Sequence, residues 1–295
     1  MTLGAAESIF GREPRLEQLL TGFSFTEGPA WCDAGDFLVF SDIPGDAMWR
    51  WAPSSGLEEY RRPSRMANGN TYDNDGRLIS CEHASSRVVI EAEGAVRPLA
   101  AKFGDKELNS PNDVVVAKDG PIFFTDPTYG RGEFYGVPRA PELGFRGLYR
   151  LQPGDPRSGA SGLELLADDF DQPNGLCFSP DEAFLFVNDT ERMHIRCFAK
   201  HDDGSLSGGD VWAEVAGDGP GGPDGMKVDA EGNVYCTGPG GIHVFSPAGS
   251  HLGRLAVPEV VGNFAWGGRQ RSTLFICAST SVYRTTTRVP GHRPG

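Results

Sequence analysis

The chain has 295 residues, with 40 glycines, 22 prolines, 18 phenylalanines and a formal net charge of −13. This charge argues against nucleic acid or an anionic membrane as a partner, because both require a basic face, and a neutral or cationic small molecule fits better. No apolar run approaches the roughly 18 residues of a membrane span, and the N-terminus lacks the basic start of a signal peptide. We therefore expect a cytoplasmic protein, with no expectation for its oligomeric state.

Six copies of one pattern follow each other along the chain, at intervals of 41, 44, 62, 50 and 39 residues. Each copy places a small polar residue at a Pro/Gly-rich turn, followed by a short apolar strand, a second turn and a second strand. A period near forty with this content is typical of four-stranded propeller blades. The pattern predicts an all-β fold, a six-bladed β-propeller formed by residues 1–295 as one domain. The copies are centred on Glu27 in EGPAW, Asn68 in MANGN, Asn112 in SPNDVVV, Asn174 in QPNGLCF, Asp224 in GPDGMKV and Asn263 in GNFAW.

The N-terminal arm, residues 1–20, shows only a weak periodicity over residues 15–20, which fits a short helix or an edge strand. Residues 15–25 are a candidate for a strand that completes the last blade and covers its edge. The long third interval contains an insertion at residues 128–146, with Phe134, Tyr135, Phe145 and Arg146. Long loops in compact domains are usually functional, so we expect this segment to be a lid, the alternative being a mobile surface loop.

In a propeller the first strand of each blade lines the central channel, so the six repeated polar residues are expected around one axis. Glu27, Asn112, Asn174 and Asp224 offer only oxygen atoms, which suits a hard cation such as Ca²⁺. Turn formation alone is the alternative for any one of them, but it does not explain why PND, PNG and PDG recur at one place. The six histidines and six cysteines show no HExxH, CxxC or paired spacing, and the cysteines fit reduced core residues.

The motifs TEGPAW, SPNDVVV with FFTDPTYG, QPNGLCFSPDE with VNDT, and PDGMKVD resemble the gluconolactonase, regucalcin (senescence marker protein) and luciferin-regenerating-enzyme-like family. The resemblance covers nearly the whole chain and implies a metal-dependent hydrolase of sugar lactones. It implies that Glu27, Asn174 and Asp224 hold a divalent ion at the centre of the propeller. Asn112 either completes that metal site or binds the substrate. The ion is Ca²⁺ or a smaller one, Mg²⁺, Mn²⁺, Fe²⁺ or Zn²⁺.

The expected chemistry is hydrolysis of a gluconolactone-type ring to the aldonic acid, with a cation polarising the carbonyl and Asp224 as general base. Asp189 in VNDT is a candidate for a second acid near the water; its alternative is to cap neighbouring backbone amides. Arg65, Asn68, His83 and Tyr129 are candidates for binding substrate hydroxyls, although a lone histidine is more often structural.

Two other functions remain open at this point. The same site could serve a phosphotriesterase-like hydrolase or another lactonase, because a cation polarises phosphoryl and carbonyl oxygens alike. The chain could also be a Ca²⁺-binding or ligand-sensing propeller without turnover, since fold does not imply function. No GxSxG or GxxxxGK[ST] motif occurs, so a serine hydrolase of the nucleophile-elbow type and a P-loop enzyme are unsupported.

Overall fold

The computed structural model describes residues 9–11, 14–152 and 162–293; residues 1–8 and 12–13 of the predicted N-terminal arm lie outside this range. Within it, the strands form six antiparallel sheets of four strands each. A two-stranded hairpin lies between the second and third sheets, and a short 3₁₀ helix, Tyr129–Arg131, lies in the connection between two strands of the third sheet. Among the described residues no helix is long and apolar enough to span a bilayer.

The strands run from the channel outward in chain order, and β1 (Glu17–Thr21) precedes the first blade. Blade 1 is β2 (Thr26–Cys32), β3 (Phe37–Asp42), β4 (Ala47–Ala52) and β5 (Gly56–Arg61). Blade 2 is β6 (Ala67–Tyr72), β7 (Leu78–Glu82), β8 (Arg87–Ala92) and β9 (Ala95–Ala100), followed by the hairpin β10 (Lys102–Phe103) and β11 (Lys106–Glu107). Blade 3 is β12 (Val114–Val116), β13 (Ile122–Asp126), β14 (Gly147–Gln152) and β15 (Gly162–Ala167).

The second half of the ring has the same arrangement. Blade 4 is β16 (Pro173–Phe178), β17 (Phe184–Asp189), β18 (His194–Lys200) and β19 (Leu206–Glu214). Blade 5 is β20 (Met226–Val228), β21 (Val234–Gly238), β22 (Gly241–Phe245) and β23 (His251–Ala256). Blade 6 is β24 (Val261–Gly267), β25 (Thr273–Ala278) and β26 (Ser281–Thr286), with β1 as its outermost strand.

The ring is closed by pairing a strand from the N-terminal part of the chain with the last C-terminal strand in one sheet. β1 pairs antiparallel with β26, with Glu17 opposite Arg284 and Thr21 opposite Ser281. The innermost strands contact one another in sequence, and β24 returns to β2, so the six sheets surround one axis. The predicted propeller and the predicted closing strand are both confirmed. Pairing with β1 also covers the edge of β26, which would otherwise be open to association.

Hydrophobic clusters fill the interfaces between neighbouring blades, one at each of six interfaces among the described residues. β3 shows why the strands are nearly continuous apolar runs. Its Leu38 and Phe40 pack against Phe275 of blade 6, whereas Val39 packs against Leu78 of blade 2. Since both faces of an inner strand are buried, the alternation of polar and apolar residues disappears.

The innermost strands are irregular at the level of the repeated polar residues. Register shifts occur between Glu27 and Ala30 in β2, and at the corresponding place in β6, β16 and β24. The strands β12 and β20 begin two residues after Asn112 and Asp224. Bulges re-aim side chains and bend the strand, which suits residues that must turn toward the axis.

Gly28 provides a test of how tightly the inner strands pack. Its φ is +51°, and a Cβ there would lie 1.9 Å from the backbone oxygen of Asn68 in blade 2. We expect Gly28→Ala to lower the free energy of unfolding by about 3 kcal/mol, because the two inner strands must move apart. Gly56→Ala is the matched control: its φ is +78° with nothing within 4 Å of a Cβ, so it should cost only about 1 kcal/mol. Urea unfolding measures both, and equal costs would contradict this packing.

Candidate active site

The repeated polar side chains converge on one cavity at an end of the channel. The cavity has a volume of about 200 Å³ and contains all four predicted metal-binding residues together with three of the predicted substrate-binding residues. Side chains from blades 1 to 5 therefore share one small space. The lining residues are Phe25, Glu27, Ile43, Asn68, His83, Asn112, Tyr129, Tyr135, Asn174, Thr190, Glu191 and Asp224.

The backbone of these residues is held by the neighbouring blade. In four of the positions the carbonyl oxygen accepts a hydrogen bond from the preceding blade, either from its second strand or from its inner strand. Because a buried carbonyl without a partner is costly, these bonds fix the height of each residue along the axis. The donors and acceptors are Ser41 Oγ to Asn68 O (2.8 Å), Gly69 N to Asn112 O (2.9 Å), Thr125 Oγ1 to Asn174 O (2.7 Å) and Asn188 Nδ2 to Asp224 O (2.6 Å).

The sixth position of the ring differs from the prediction. Gly225 N donates to Gly262 O at 2.8 Å, just as Gly69 N donates to Asn112 O, so Gly262 is the equivalent residue in blade 6. Strand pairing agrees, since Val261 lies opposite the last residue of β25 as Ala67 lies opposite the last residue of β7. The expectation that Asn263 completes a ring of six polar groups was wrong. Asn263 lies one residue further along the strand and its side chain belongs to a different level of the channel.

Gly262 leaves room for Glu27. A Cβ on Gly262 would lie 2.6 Å from Glu27 Oε1, so any other residue would displace the carboxylate. Glu27 is 2% exposed; its Oε2 accepts a hydrogen bond from Gly28 N, whereas Oε1 is buried without a partner among the described residues. A buried carboxylate oxygen without a donor is costly, which makes Oε1 a candidate ligand atom.

Asn174 presents a second buried oxygen without a partner. Its Nδ2 donates to Thr190 Oγ1 at 3.1 Å, and that hydroxyl in turn donates to Pro223 O at 2.7 Å, next to Asp224. The amide is thereby oriented, and its Oδ1 is buried with no hydrogen-bond partner in the described part of the chain. Thr190 therefore links two of the candidate ligands. Thr190 directly follows the predicted Asp189 in the VNDT motif, and the sequence pattern does not distinguish the two.

Asp224 and Glu27 form the negative part of the cavity. Burial raises the pKa of both carboxyl groups, and the nearby negative charge of Asp113 adds to this, as does Glu27 in the case of Asp224. Asn112 contributes a neutral amide side chain to the cavity. Burial and mutual repulsion therefore oppose ionisation of the two carboxyl groups, and a cation bound between them would favour their charged forms.

His83 links the cavity wall to Asn68. Its Nδ1 lies 2.8 Å from Tyr135 O, which can only accept, so Nδ1 carries the proton and Nε2 accepts from Asn68 Nδ2 at 3.2 Å. This leaves Asn68 Oδ1 without a partner among the described residues. Burial lowers the pKa of His83 to about 4, so the imidazole is neutral near pH 7. His83 therefore positions Asn68 and the chain at Tyr135.

The segment 128–146 supplies Tyr129 and Tyr135 to the cavity, whereas Phe145 packs away from it against Phe103. Two arginines attach the segment to its surroundings. Arg131 is 8% exposed and donates to Leu108 O and Asn109 O, and Arg139 Nη2 donates to His83 O at 3.2 Å. Burial raises the pKa of both tyrosines, which keeps their hydroxyl groups protonated. The segment is a wall of the cavity tied to blade 2.

Two of the predicted site residues lie outside the cavity. Asp189 accepts hydrogen bonds from Asp171 N at 2.7 Å and Gln172 N at 3.0 Å, which matches the amide-capping alternative. Asp42 and Asp126 make the same pair of bonds in their own blades, so this arrangement holds the turn before the inner strand in blades 1, 3 and 4. Arg65 is exposed, with φ of +62°, and does not line the cavity.

The four candidate ligands fit a hard divalent cation. Glu27 Oε1 and Asn174 Oδ1 are buried atoms that lack a donor, and Asn112 and Asp224 add two more oxygen-bearing groups. In the described ranges no group of three or more His, Cys, Asp or Glu side chains is arranged to hold a metal ion. A mixed carboxylate and amide set of this kind would suit a hard cation such as Ca²⁺ better than a soft metal.

Comparison with known proteins agrees with the fold and the motifs. The family described as SMP-30/Gluconolactonase/LRE-like region matches residues 25–280, and the chain belongs to this family. The gluconolactonase of Zymomonas mobilis is 31% identical over 97% of this chain and 85% of its own length. The pentonolactonase of Haloferax volcanii is 27% identical over 85% of this chain and 80% of its own. A solved gluconolactonase from Xanthomonas campestris has a TM-score of 0.88 at 34% identity, covering 97% of this chain and 94% of that one.

The low pKa of His83 predicts an acid-dependent loss of stability. As the pH falls from 7 to 4, His83 becomes protonated in the unfolded chain near its ordinary pKa of about 6.5. In the folded protein it becomes protonated only near pH 4, because burial lowers its pKa to about 4. The free energy of unfolding should therefore fall by about 3 kcal/mol more in the wild type than in His83→Gln. Urea unfolding at both pH values measures the difference. The exposed His201→Gln is the control and should follow the wild type; a His83→Gln curve parallel to the wild type would contradict the neutral buried state.

Proposed function

We propose that this protein is a hydrolase that opens a small sugar lactone of the gluconolactone type to its aldonic acid and depends on a divalent cation, with Ca²⁺ the preferred ion. One observation carries the proposal: Glu27, Asn112, Asn174 and Asp224 line the same cavity, and two of their buried oxygens lack a donor. Family membership supports the reaction class, because relatives named gluconolactonase and pentonolactonase match most of the chain.

The cation would be held by Glu27, Asn174 and Asp224, with Asn112 as a fourth oxygen donor. When bound, a divalent ion supplies polarisation of a carbonyl oxygen and stabilises the negative charge that develops there. The protein's contribution is a rigid set of ligands: the neighbouring blade holds the backbone carbonyls of Asn112, Asn174 and Asp224, and the carboxylate of Glu27 accepts from Gly28 N.

Asp224 is the proposed general base. Its carboxylate accepts a proton from water while the water oxygen attacks the lactone carbonyl carbon, and the ring C–O bond then breaks. The proton passes to the departing ring oxygen, which becomes the hydroxyl group of the open acid. Atoms balance with one water consumed, and no oxidant or reductant is required. Asp189 is not used in this scheme, because its carboxylate is occupied by two backbone amides.

Substrate recognition is proposed for the remaining residues that line the cavity. Asn68, oriented by His83, and the hydroxyl group of Tyr129 can bond to the hydroxyls of a neutral sugar ring. The rings of Phe25 and Tyr135 pack edge to face with their centroids 5.2 Å apart. They form an apolar side of the cavity for the carbon atoms of the sugar ring. A cavity of about 200 Å³ suits a single monosaccharide ring.

The proposed compartment is the cytoplasm. All six cysteines are free, and four of them are buried. Unpaired cysteines in this number are usual in a reducing environment, where disulfides are rare.

The experiment is a pH-indicator assay of acid release from D-glucono-1,5-lactone, with the spontaneous rate subtracted, on chelator-treated protein with and without added Ca²⁺. We expect hydrolysis to be lost on chelation and restored by Ca²⁺. Glu27→Gln should bind the ion less tightly, whereas Asp224→Asn should lower kcat by about 10²- to 10⁴-fold, because it removes the base.

The exposed Asp210→Asn on β19 is the matched control and should retain wild-type hydrolysis. Circular dichroism verifies that each variant is folded. Full activity in Asp224→Asn, or unchanged activity in chelator-treated protein, would refute the mechanism. Turnover of an organophosphate triester but not of glucono- or pentonolactones would favour the phosphotriesterase-like alternative, and no turnover with any divalent ion would favour a binding protein.

A further inference from the structure

A second polar layer lies inside the channel, beyond the candidate ligands. It contains Asp113 of blade 3, Lys227 of blade 5 and Asn263 of blade 6. Lys227 Nζ lies 3.7 Å from Asp113 Oδ2 and 3.2 Å from Asn263 Oδ1, and Asn263 Nδ2 lies 3.5 Å from Asp113 Oδ2. Three different blades therefore supply one hydrogen-bonded cluster on the axis.

Asp113 is buried and Lys227 is partly buried, and backbone hydrogen bonds hold the side chains of Asp113 and Asn263. The side chain of Asp113 is 3% exposed and that of Lys227 is 25% exposed. Asp113 Oδ1 also accepts from Val114 N at 2.9 Å, and Asn263 Oδ1 accepts from Phe264 N at 2.9 Å. An ion pair in such a place costs desolvation energy, so it is poor evidence of a purely stabilising role.

The cluster adjoins the candidate ligands. Asp113 directly follows Asn112 in sequence, and Lys227 lies three residues after Asp224. The two charges act on the carboxyl groups of Glu27 and Asp224 in opposite directions: Asp113 raises their pKa values and Lys227 lowers them. In a poorly solvated channel, charges this close interact strongly with any ion at the site.

We propose that Asp113 and Lys227 are positioning residues that set the affinity of the site for its divalent cation. This inference rests on the cation site proposed above. The three carboxylates of Glu27, Asp113 and Asp224 and the ammonium group of Lys227 sum to a charge of −2, which one divalent ion neutralises. Asp113 provides attraction, and Lys227 both holds that carboxylate in place and limits the total negative charge.

The test is calorimetric titration of Ca²⁺ into chelator-treated wild type, Asp113→Asn, Lys227→Met and the double variant. Asp113→Asn leaves an unpaired ammonium beside the site, so Ca²⁺ should bind at least about tenfold more weakly. Lys227→Met should bind Ca²⁺ more tightly, because a repulsive charge is removed. The double variant loses both charges and should return to within about threefold of the wild type. A merely structural role would not produce this rescue.

Glu58→Gln in the exposed Arg50–Glu58 pair makes the same charge change on the surface and should leave Ca²⁺ affinity unaltered. Unchanged affinity in Asp113→Asn, or a double variant as weak as Asp113→Asn, would overturn the inference while leaving the proposed function intact. If Asp113→Asn does not fold, the titration of Lys227→Met alone tests the inference. Ca²⁺ binding by Lys227→Met that is unchanged or weaker than that of the wild type would then contradict it. Failure of the wild type to bind any divalent ion would overturn the proposed cation site together with this inference.

Discussion

The close approach of the six inner strands around the axis is the constraint on which the rest of this structure depends. At the level of Glu27 the strands are near enough that one blade donates hydrogen bonds to the carbonyl of the next, and a methyl group at Gly28 would collide with Asn68 O. The same contacts that close the ring therefore place the site residues. The positions of the candidate ligands therefore follow from packing between blades.

The two ends of the innermost strands have different chemistry. At one end, side chains such as those of Asn174 and Asp224 present oxygens to the cavity. Further along the inner strands, the side chains of Asp113 and Lys227 form an internal ion pair. Beyond that level the strands become apolar and join the interfaces between blades. The same level also borders a second cavity of about 340 Å³, whose lining includes Lys227, Asn70 and Arg271.

Sequence periodicity was sufficient to predict the propeller and the convergence of Glu27, Asn112, Asn174 and Asp224 on one cavity, because each blade repeats its turn chemistry and its apolar runs. Periodicity failed where the strand register determines which of two adjacent residues faces the site. Asn263 and Gly262 are adjacent in sequence, and only the pairing of β24 with β25 shows that the glycine occupies the ring position. Asp189 and Thr190 are likewise adjacent, yet one caps amides and the other orients Asn174. Asp113 and Lys227 were missed because charged residues beside a turn look like ordinary surface residues until the strand is known to face a channel.

The central claim is that oxygens from Glu27, Asn112, Asn174 and Asp224 converge on one cation. The most direct measurement is an anomalous difference map from a crystal soaked in Mn²⁺. The account predicts one strong peak within about 2.6 Å of oxygens from Glu27, Asn174 and Asp224, with Asn112 or an ordered water completing the set. A peak elsewhere in the channel, or an empty cavity at saturating Mn²⁺, would contradict it.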